Sequence, residues 1–526
     1  MAVRVELLYN SFSRVTPDRC IELFGLIIYN AVFVGALVVR CCWSHGMSRS
    51  SRSRVFSQSS TANTATPAVA AASHAIHRVK RTGFFWKDSD RERQARKRFF
   101  KQHQNATHNA DISVLEKMVN LVEQLTLQRS AHQSLAGKQV IRMTIDTLRK
   151  MIQQTPADQV GYFGYLQQQF AANPDAATIF DEFLYFYRHN LHFFTQGDYA
   201  MLPVTYTRDD YHRYVAENHN ALGVEECNFP EWVDAFYQND AVLFGHASGA
   251  HSFQRHIPFY HAVPQGPVKG IYVYFHGWHD SHESMRVLLD KALAEGYEVY
   301  AFDHRCHGLQ KSTSSASTDD LRIDFRKILE IVRAQHPGTP LHVGGHSMGG
   351  AICAMEAKYM ESLGVASVTL FAPAILSQWH HLIWDKSPFT HRNMAPEVLE
   401  LQRKSPLFGG KGPNLVNLLG LMCAAYTALE KVLVSSTIKW IILQGERDQS
   451  VSHHELRQIL GRLGTLPTGA ASLLRAVIFP ELDHGLHMSP ADGKRVLEIL
   501  FAELNKITPA PIVSASAPTM GSRIIG

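Results

Sequence analysis

A serine, an aspartate and a histidine occur in that order, each just beyond a stretch that reads as a β-strand. Ser347 lies in GGHSMGG at 344–350, Asp448 in LQGERDQSV and His484 in PELDHGLH. A serine hydroxyl is a poor nucleophile until a base takes its proton. The base in turn needs an acid that fixes its tautomer and stabilises its charged form. In that arrangement Ser347 would attack a carbonyl carbon, His484 would carry the proton and Asp448 would orient His484. The chemistry is acyl transfer through a covalent intermediate. Glu446 and His487 stand close enough in sequence to be the alternative acid and base.

A lone G-x-S-x-G pattern turns up by chance in roughly one chain in ten of this length. An aspartate after a strand is commonly a helix cap, and one histidine among 29 carries little weight by itself. The joint order on three strand ends carries the assignment. Gly345 and Gly349 also have a physical reason, because a Cβ at either would collide with the neighbouring turn at a strand-to-helix corner. The Met348 amide would be one donor to the oxyanion. His276-Gly277 ends an earlier strand, and the Trp278 amide beyond it would be the second donor. Losing one such donor costs on the order of 3 kcal/mol of barrier.

These residues need a scaffold that brings strand ends together. From about 238, short apolar runs alternate with amphipathic helices: GIYVYFHG at 270–277, YEVYAFDHR at 297–305, LHVGGHS at 341–347, SVTLFAP at 367–373, IKWIILQGE at 438–446 and RAVIFPELDH at 475–484. Continuous apolar strands between helices predict an α/β fold, a mostly parallel sheet with helices on both faces. An antiparallel entry is expected within AVLFGHAS…HSFQRHIPFYHAVP.

In order along the chain, FHGWHDSHES, LAEGYEVYAFDHRCHGLQKS, GGHSMGGA, LQGERDQSV and DHGLH resemble the motifs of the monoglyceride lipase and lysophospholipase group of serine α/β-hydrolases. The resemblance covers about residues 240–505. It implies an α/β-hydrolase fold, Ser347, Asp448 and His484 as the triad, and Trp278 and Met348 as the oxyanion hole. It also implies a helical lid between the sixth strand and the acid-bearing strand, about 374–436, where WHHLIW and NLVNLLGLMCAAYTALEKVLV could cover an acyl pocket or pack on the sheet. Two departures stand near the pocket entrance. Cys306 replaces a usual glycine in DHRCHG, and His279 takes a position often held by a small residue.

The remainder of the 526 residues reads as four further regions. Residues 1–43 contain Leu23–Val39, an apolar run broken only by Asn30 that would span about 26 Å as a helix. It is read as a membrane anchor, with a signal peptide as the alternative. Residues 44–110 are a disordered basic linker; the acid-free stretch from Met47 also has organellar-presequence composition, so translation could start at Met1 or Met47. Residues 111–236 are read as a helical domain of unknown role, opened by a Ser113–Glu116 capping box. The hydrolase domain spans 237–506, and 507–526 is a loose tail.

A net charge of +5 does not call for a nucleic-acid partner. Seven cysteines at irregular spacing suggest neither a disulfide framework nor a zinc site. No metal or organic cofactor is expected. The expected function is a membrane-associated serine ester hydrolase acting on single-acyl-chain lipids, a monoacylglycerol or a lysophospholipid. The same triad could instead serve amide or peptide bonds or acyl transfer. A membrane-tethered scaffold with incidental hydrolysis is the alternative of another class, its partner meeting 111–236. An organellar or cytoplasmic location stands beside the membrane-anchored one.

Overall fold

A computed structural model of the chain describes residues 189–207, 252–310, 316–377, 415–464 and 473–507, with scattered positions between 117 and 217 and residue 398. Its centre is an eight-stranded sheet. The strands are β1 (Asp198–Thr207), β2 (Ser252–Ala262), β3 (Gly270–Phe275), β4 (Tyr297–Phe302), β5 (Leu341–His346), β6 (Ser367–Phe371), β7 (Lys439–Gly445) and β8 (Leu474–Phe479). They lie side by side in the order β1-β2-β4-β3-β5-β6-β7-β8. β2 runs antiparallel to both β1 and β4, and the remaining pairs are parallel.

Every residue of β3, β4, β5 and β6 is buried, as expected for parallel strands covered on both faces. One face is covered by α1 (Arg286–Ala294) and α7 (Asp492–Ile507), which place Leu288, Leu289, Val496 and Leu500 against the sheet. The other is covered by α2 (Thr318–Gln335), α3 (Met348–Met355), followed by the short α4 (Ala357–Ser362), α5 (Leu415–Ser435) and α6 (His453–Leu463). This is the α/β-hydrolase fold.

Register places the chemistry. Phe275 pairs with Gly345, His346 with Phe371, Phe371 with Leu443, and Gly445 with Phe479. The carboxyl ends of β3, β5, β7 and β8 therefore finish along one edge. The chain steps outward from β3 to β4, then returns to place β5 on the other side of β3. That reversal opens the crevice in which doubly wound sheets bind ligands.

Two boundaries differ from the sequence reading. β1 lies within the stretch read as helical, 111–236, yet it is the edge strand of the hydrolase sheet. Leu202, Val204 and Tyr206 are buried at a period of two, the signature of a half-covered strand. The expected antiparallel partner of HSFQRHIPFYHA, AVLFGHAS, lies outside the described residues, and β1 takes that role for β2. Within that stretch, helix is described at 189–196 and at isolated positions such as Val119 and Ile145, both buried.

In the lid segment, WHHLIW lies outside the described residues. The second apolar run forms α5, and its Leu418, Met422, Ala425 and Leu429 enter the core that includes α3. Their spacing of three and four residues is that of a helix with one apolar face against a neighbour. This run packs into the core on that face, where the sequence also allowed a pocket cover. Among the described residues, Leu418–Ser435 is the helix long and apolar enough to cross a membrane by length and composition. Leu23–Val39, the basic linker and the C-terminal tail lie outside the described residues.

Candidate active site

β5 turns directly into α3, and Ser347 is the turning residue. Its backbone sits at φ 51° and ψ −112°, a conformation that strains any residue with a side chain. The surroundings over-determine it. The Ser347 amide donates to the Phe371 carbonyl at 3.0 Å, and its carbonyl accepts from Ala351 at 3.0 Å and Ala374 at 2.9 Å. A Cβ on Gly345 would lie 2.5 Å from the Gly349 carbonyl oxygen, and one on Gly349 would run into the Phe275 carbonyl. Both glycines thus have the crowded neighbours expected of a tight corner. Ser347 is half-buried, with buried residues on either side.

The loops after β7 and β8 bring Asp448 and His484 together. His484 Nδ1 donates to Asp448 Oδ2 at 2.8 Å, which leaves Nε2 as the unprotonated nitrogen. Asp448 is itself fixed. Its Oδ1 accepts from the amides of Ser450 at 2.8 Å and Val451 at 2.9 Å, and its Oδ2 from Gln444 Nε2 at 2.9 Å. Burial pulls the His484 pKa down, but the Asp448 charge and hydrogen bond outweigh it, and the net shift is upward. The histidine before the serine ties this loop to the corner: His346 Nε2 donates to the His484 carbonyl at 3.0 Å, and the two rings lie 4.8 Å apart. No hydrogen bond joins Ser347 Oγ to His484 Nε2 in this structure.

The alternative acid and base are placed elsewhere. Glu446 pairs with Arg457 at 2.7 Å on the surface. His487 is buried, stacked on Phe371, and bonded through Nε2 to the Tyr274 hydroxyl at 2.9 Å. Burial, with a smaller contribution from His484, pushes its pKa down to about 3, so it stays neutral.

On the other side of Ser347 lies the loop after β3. A Cβ on Gly277 would lie 2.9 Å from His346 Nδ1 and 3.2 Å from Ser347 Cβ, so the corner's side chains fill the space beside this glycine. His276 is a strut for this loop. Its Nδ1 donates to the Gly277 carbonyl at 2.7 Å, and its Nε2 accepts from the His304 amide at 3.0 Å. Burial above all holds it neutral, which suits one donor and one acceptor. Trp278 follows, half-buried and packed on His279 with ring centroids 3.9 Å apart. Met348 opens α3, so its amide is among those a helix leaves without an intrahelical partner.

The two departures noted in the sequence share one cause. His279 at φ 59° and Cys306 at φ 64° occupy the left-handed region, where glycine is the undemanding choice. Sequence reasoning missed Asp280. It is buried, its Oδ2 has no hydrogen-bond partner, and that oxygen lies 3.9 Å from His346 Nδ1. Burial pushes its carboxyl up to about 7. No spacing rule marks such a residue, because its significance comes from partners on other strands. Among the described residues, no group of three His, Cys, Asp or Glu side chains is arranged to hold a metal ion.

Comparison with known proteins covers part of this fold. Residues 266–490 match the family described as Hydrolase_4, serine aminopeptidase S33. A monoacylglycerol lipase of Mycolicibacterium smegmatis is 32% identical over 116 residues, 22% of this chain and 41% of that lipase. A monoglyceride lipase of Homo sapiens is 25% identical over 213 residues, 35% of this chain and 67% of that protein. The crystal structure of a thermostable carboxyl esterase from Bacillus coagulans is similar to 48% of this chain and 94% of its own, with 18% identity and a TM-score of 0.41. The chain thus spans less than half of the mycobacterial lipase it resembles.

Proposed function

We propose that this α/β-hydrolase of the monoglyceride-lipase-like family is a serine ester hydrolase that removes the acyl group from a single-chain lipid, a monoacylglycerol or a lysophospholipid. Ser347 Oγ attacks the ester carbonyl while His484 Nε2 takes its proton. Asp448 holds His484 in the tautomer that exposes Nε2 and stabilises the imidazolium that forms. The Trp278 and Met348 amides donate to the oxyanion of the tetrahedral intermediate. Collapse expels the alcohol, which receives the proton from His484. Water, deprotonated by His484, then releases the fatty acid.

The observation that most supports this reading is the 2.8 Å bond between His484 and Asp448 on loops tied to a strained serine corner. Similarity to the two lipases supports the choice of a lipid ester. Membrane attachment through Leu23–Val39 belongs to the same proposal, since it would bring the site to its substrate. Fractionation of the full chain and of a form lacking residues 1–43 tests it; equal recovery in the soluble fraction would remove the anchor.

The description of the matched family as an aminopeptidase favours a second reading, amide hydrolysis by the same residues. A panel of p-nitrophenyl acyl esters and aminoacyl anilides separates the two. Preference for esters with longer acyl chains is expected, and preference for anilides would replace the lipase reading. Labelling by a fluorophosphonate probe, lost in Ser347→Ala, tests the nucleophile itself.

A further inference from the structure

The loop that carries Trp278 is gripped from outside by a second hydrogen-bonded chain. His282 lies four residues beyond Trp278 and opens a short 3-10 turn, His282–Met285. Its amide donates to Asp303 Oδ1 at 2.6 Å, and its Nδ1 lies 3.0 Å from both oxygens of the same carboxylate. Asp303 Oδ2 also accepts from the Leu309 amide at 2.7 Å. One carboxylate at the exit of β4 therefore fastens the loops after β3 and β4 to each other.

The ring of His282 reaches in the opposite direction as well. Its Nε2 is 2.9 Å from the hydroxyl of Tyr199 on β1. Tyr260 of β2 stacks on the imidazole at 6.2 Å and 13°, and Phe193 meets it edge-on at 5.2 Å. All three aromatic residues precede residue 266, where the family match begins. His282 and Asp303 are almost fully buried, at 1% and 3% exposure. Burying such groups is costly unless each is satisfied, and a satisfied buried network is rigid. Asp303 would hold both loops through backbone amides alone. The imidazole adds a link from that anchor to the edge hairpin β1–β2.

We propose that His282 and Tyr199 are positioning residues for the Trp278 amide, and that the segment preceding the family-matched region is through them a working part of the catalytic site. This rests on Trp278 being an oxyanion donor, as in the function proposed above. A donor displaced by a fraction of an ångström loses transition-state stabilisation while ground-state binding is retained.

The test uses the full chain and p-nitrophenyl esters. Tyr199→Phe keeps the aromatic ring and removes only the hydroxyl. His282→Asn keeps a donor for Asp303 and removes the reach to Tyr199. Each is expected to lower kcat about 3- to 10-fold with KM within about two-fold, and the double variant to lose no more than the worse single one. Thermal unfolding of each variant identifies loss of fold. A wild-type kcat in folded Tyr199→Phe, additive losses in the double variant, or losses confined to KM would overturn the proposal. A wild-type protein that fluorophosphonate does not label would instead overturn the hydrolase reading, and this inference with it.

Discussion

On one side of Ser347, the loops after β7 and β8 bring in Asp448 and His484; on the other, the loop after β3 brings in Trp278, Asp280 and His282 and is fastened to the loop after β4 through Asp303. The first flank is made locally. Besides His484, the partners that hold the Asp448 carboxylate are Gln444, Ser450 and Val451, within four residues of it. The second flank is made at long range. Tyr199 reaches His282 across 83 residues, and Arg255 reaches Asp324 across 69. The groups assigned to proton transfer leave the neighbouring strands β7 and β8 on short loops. The loop assigned to the oxyanion leaves the same sheet but depends on an edge hairpin and a helix to hold its shape. The two flanks should therefore fail differently when perturbed: the first through chemistry, the second through stability and geometry.

The largest effect is expected at the corner itself. Ser347→Ala should abolish fluorophosphonate labelling and lower ester turnover by about 10^5-fold or more, while thermal unfolding stays near the wild type. Turnover that survived would move the reaction away from the first flank. Asp448→Asn should follow, lowering kcat by about 10^4-fold through loss of the correct His484 tautomer. It also carries a pH signature. His484 must be neutral to act as a base, so wild-type kcat/KM should fall as pH drops through a pKa above the ordinary 6.5. In Asp448→Asn that acid limb should move to lower pH, because burial remains and its counterweight is gone. A limb that stayed in place would show that another group titrates there.

The opposite flank should break by unfolding. Asp324 on α2 accepts from Arg255 at 2.5 Å, from Arg305 at 2.7 Å through two nitrogens, and from the Tyr206 hydroxyl of β1. Burial alone would raise its pKa; Arg305 and Arg255 reverse that and hold the carboxyl well below the usual range. Asp324→Asn leaves two buried guanidinium groups short of a countercharge and should cost about 3–5 kcal/mol of stability. The stabilisation from a depressed carboxyl is present above its unfolded pKa and is lost as pH falls toward the folded one. Denaturant titration of wild type and Asp324→Asn between pH 7 and pH 3 should show the gap narrowing toward acid. A gap of under 1 kcal/mol at pH 7 would mean that the edge hairpin is not held through this carboxylate.

The same contrast decided what could be read from sequence. Ser347, Asp448 and His484 were legible because each sits in a short motif at the end of an apolar run, and their glycine neighbours mark a corner that few other residues permit. β3 to β8 were legible for the same reason, as separate continuous apolar stretches. β1 was not. Its buried positions alternate over only a few residues, Pro203 interrupts them, and helical stretches precede it. Pro203 is tolerated because β1 pairs on one side only, as the edge of the sheet. Asp280 and His282 sit inside FHGWHDSHES, but that motif does not reveal what they touch, and Tyr199 had no signal at all. The partners of His282 and Tyr199 are fixed by the strand order, which brings β1, β2 and β4 beside one another from distant parts of the chain, and Asp280 meets His346 because β3 and β5 are neighbours.

The smallest expected effect lies where the two flanks touch. Asp280 belongs to the second flank, yet its charge also raises the pKa of His484, by less than Asp448 does. Burial pushes its own carboxyl up to about 7, so its charge comes into place only as pH rises through that range. Asp280→Asn removes the charge with little change of shape. The acid limb of kcat/KM should move to lower pH, by less than in Asp448→Asn. A limb unmoved in position would confine the electrostatics of His484 to its own flank and leave the unpartnered Asp280 oxygen beside His346 without a part in the titration.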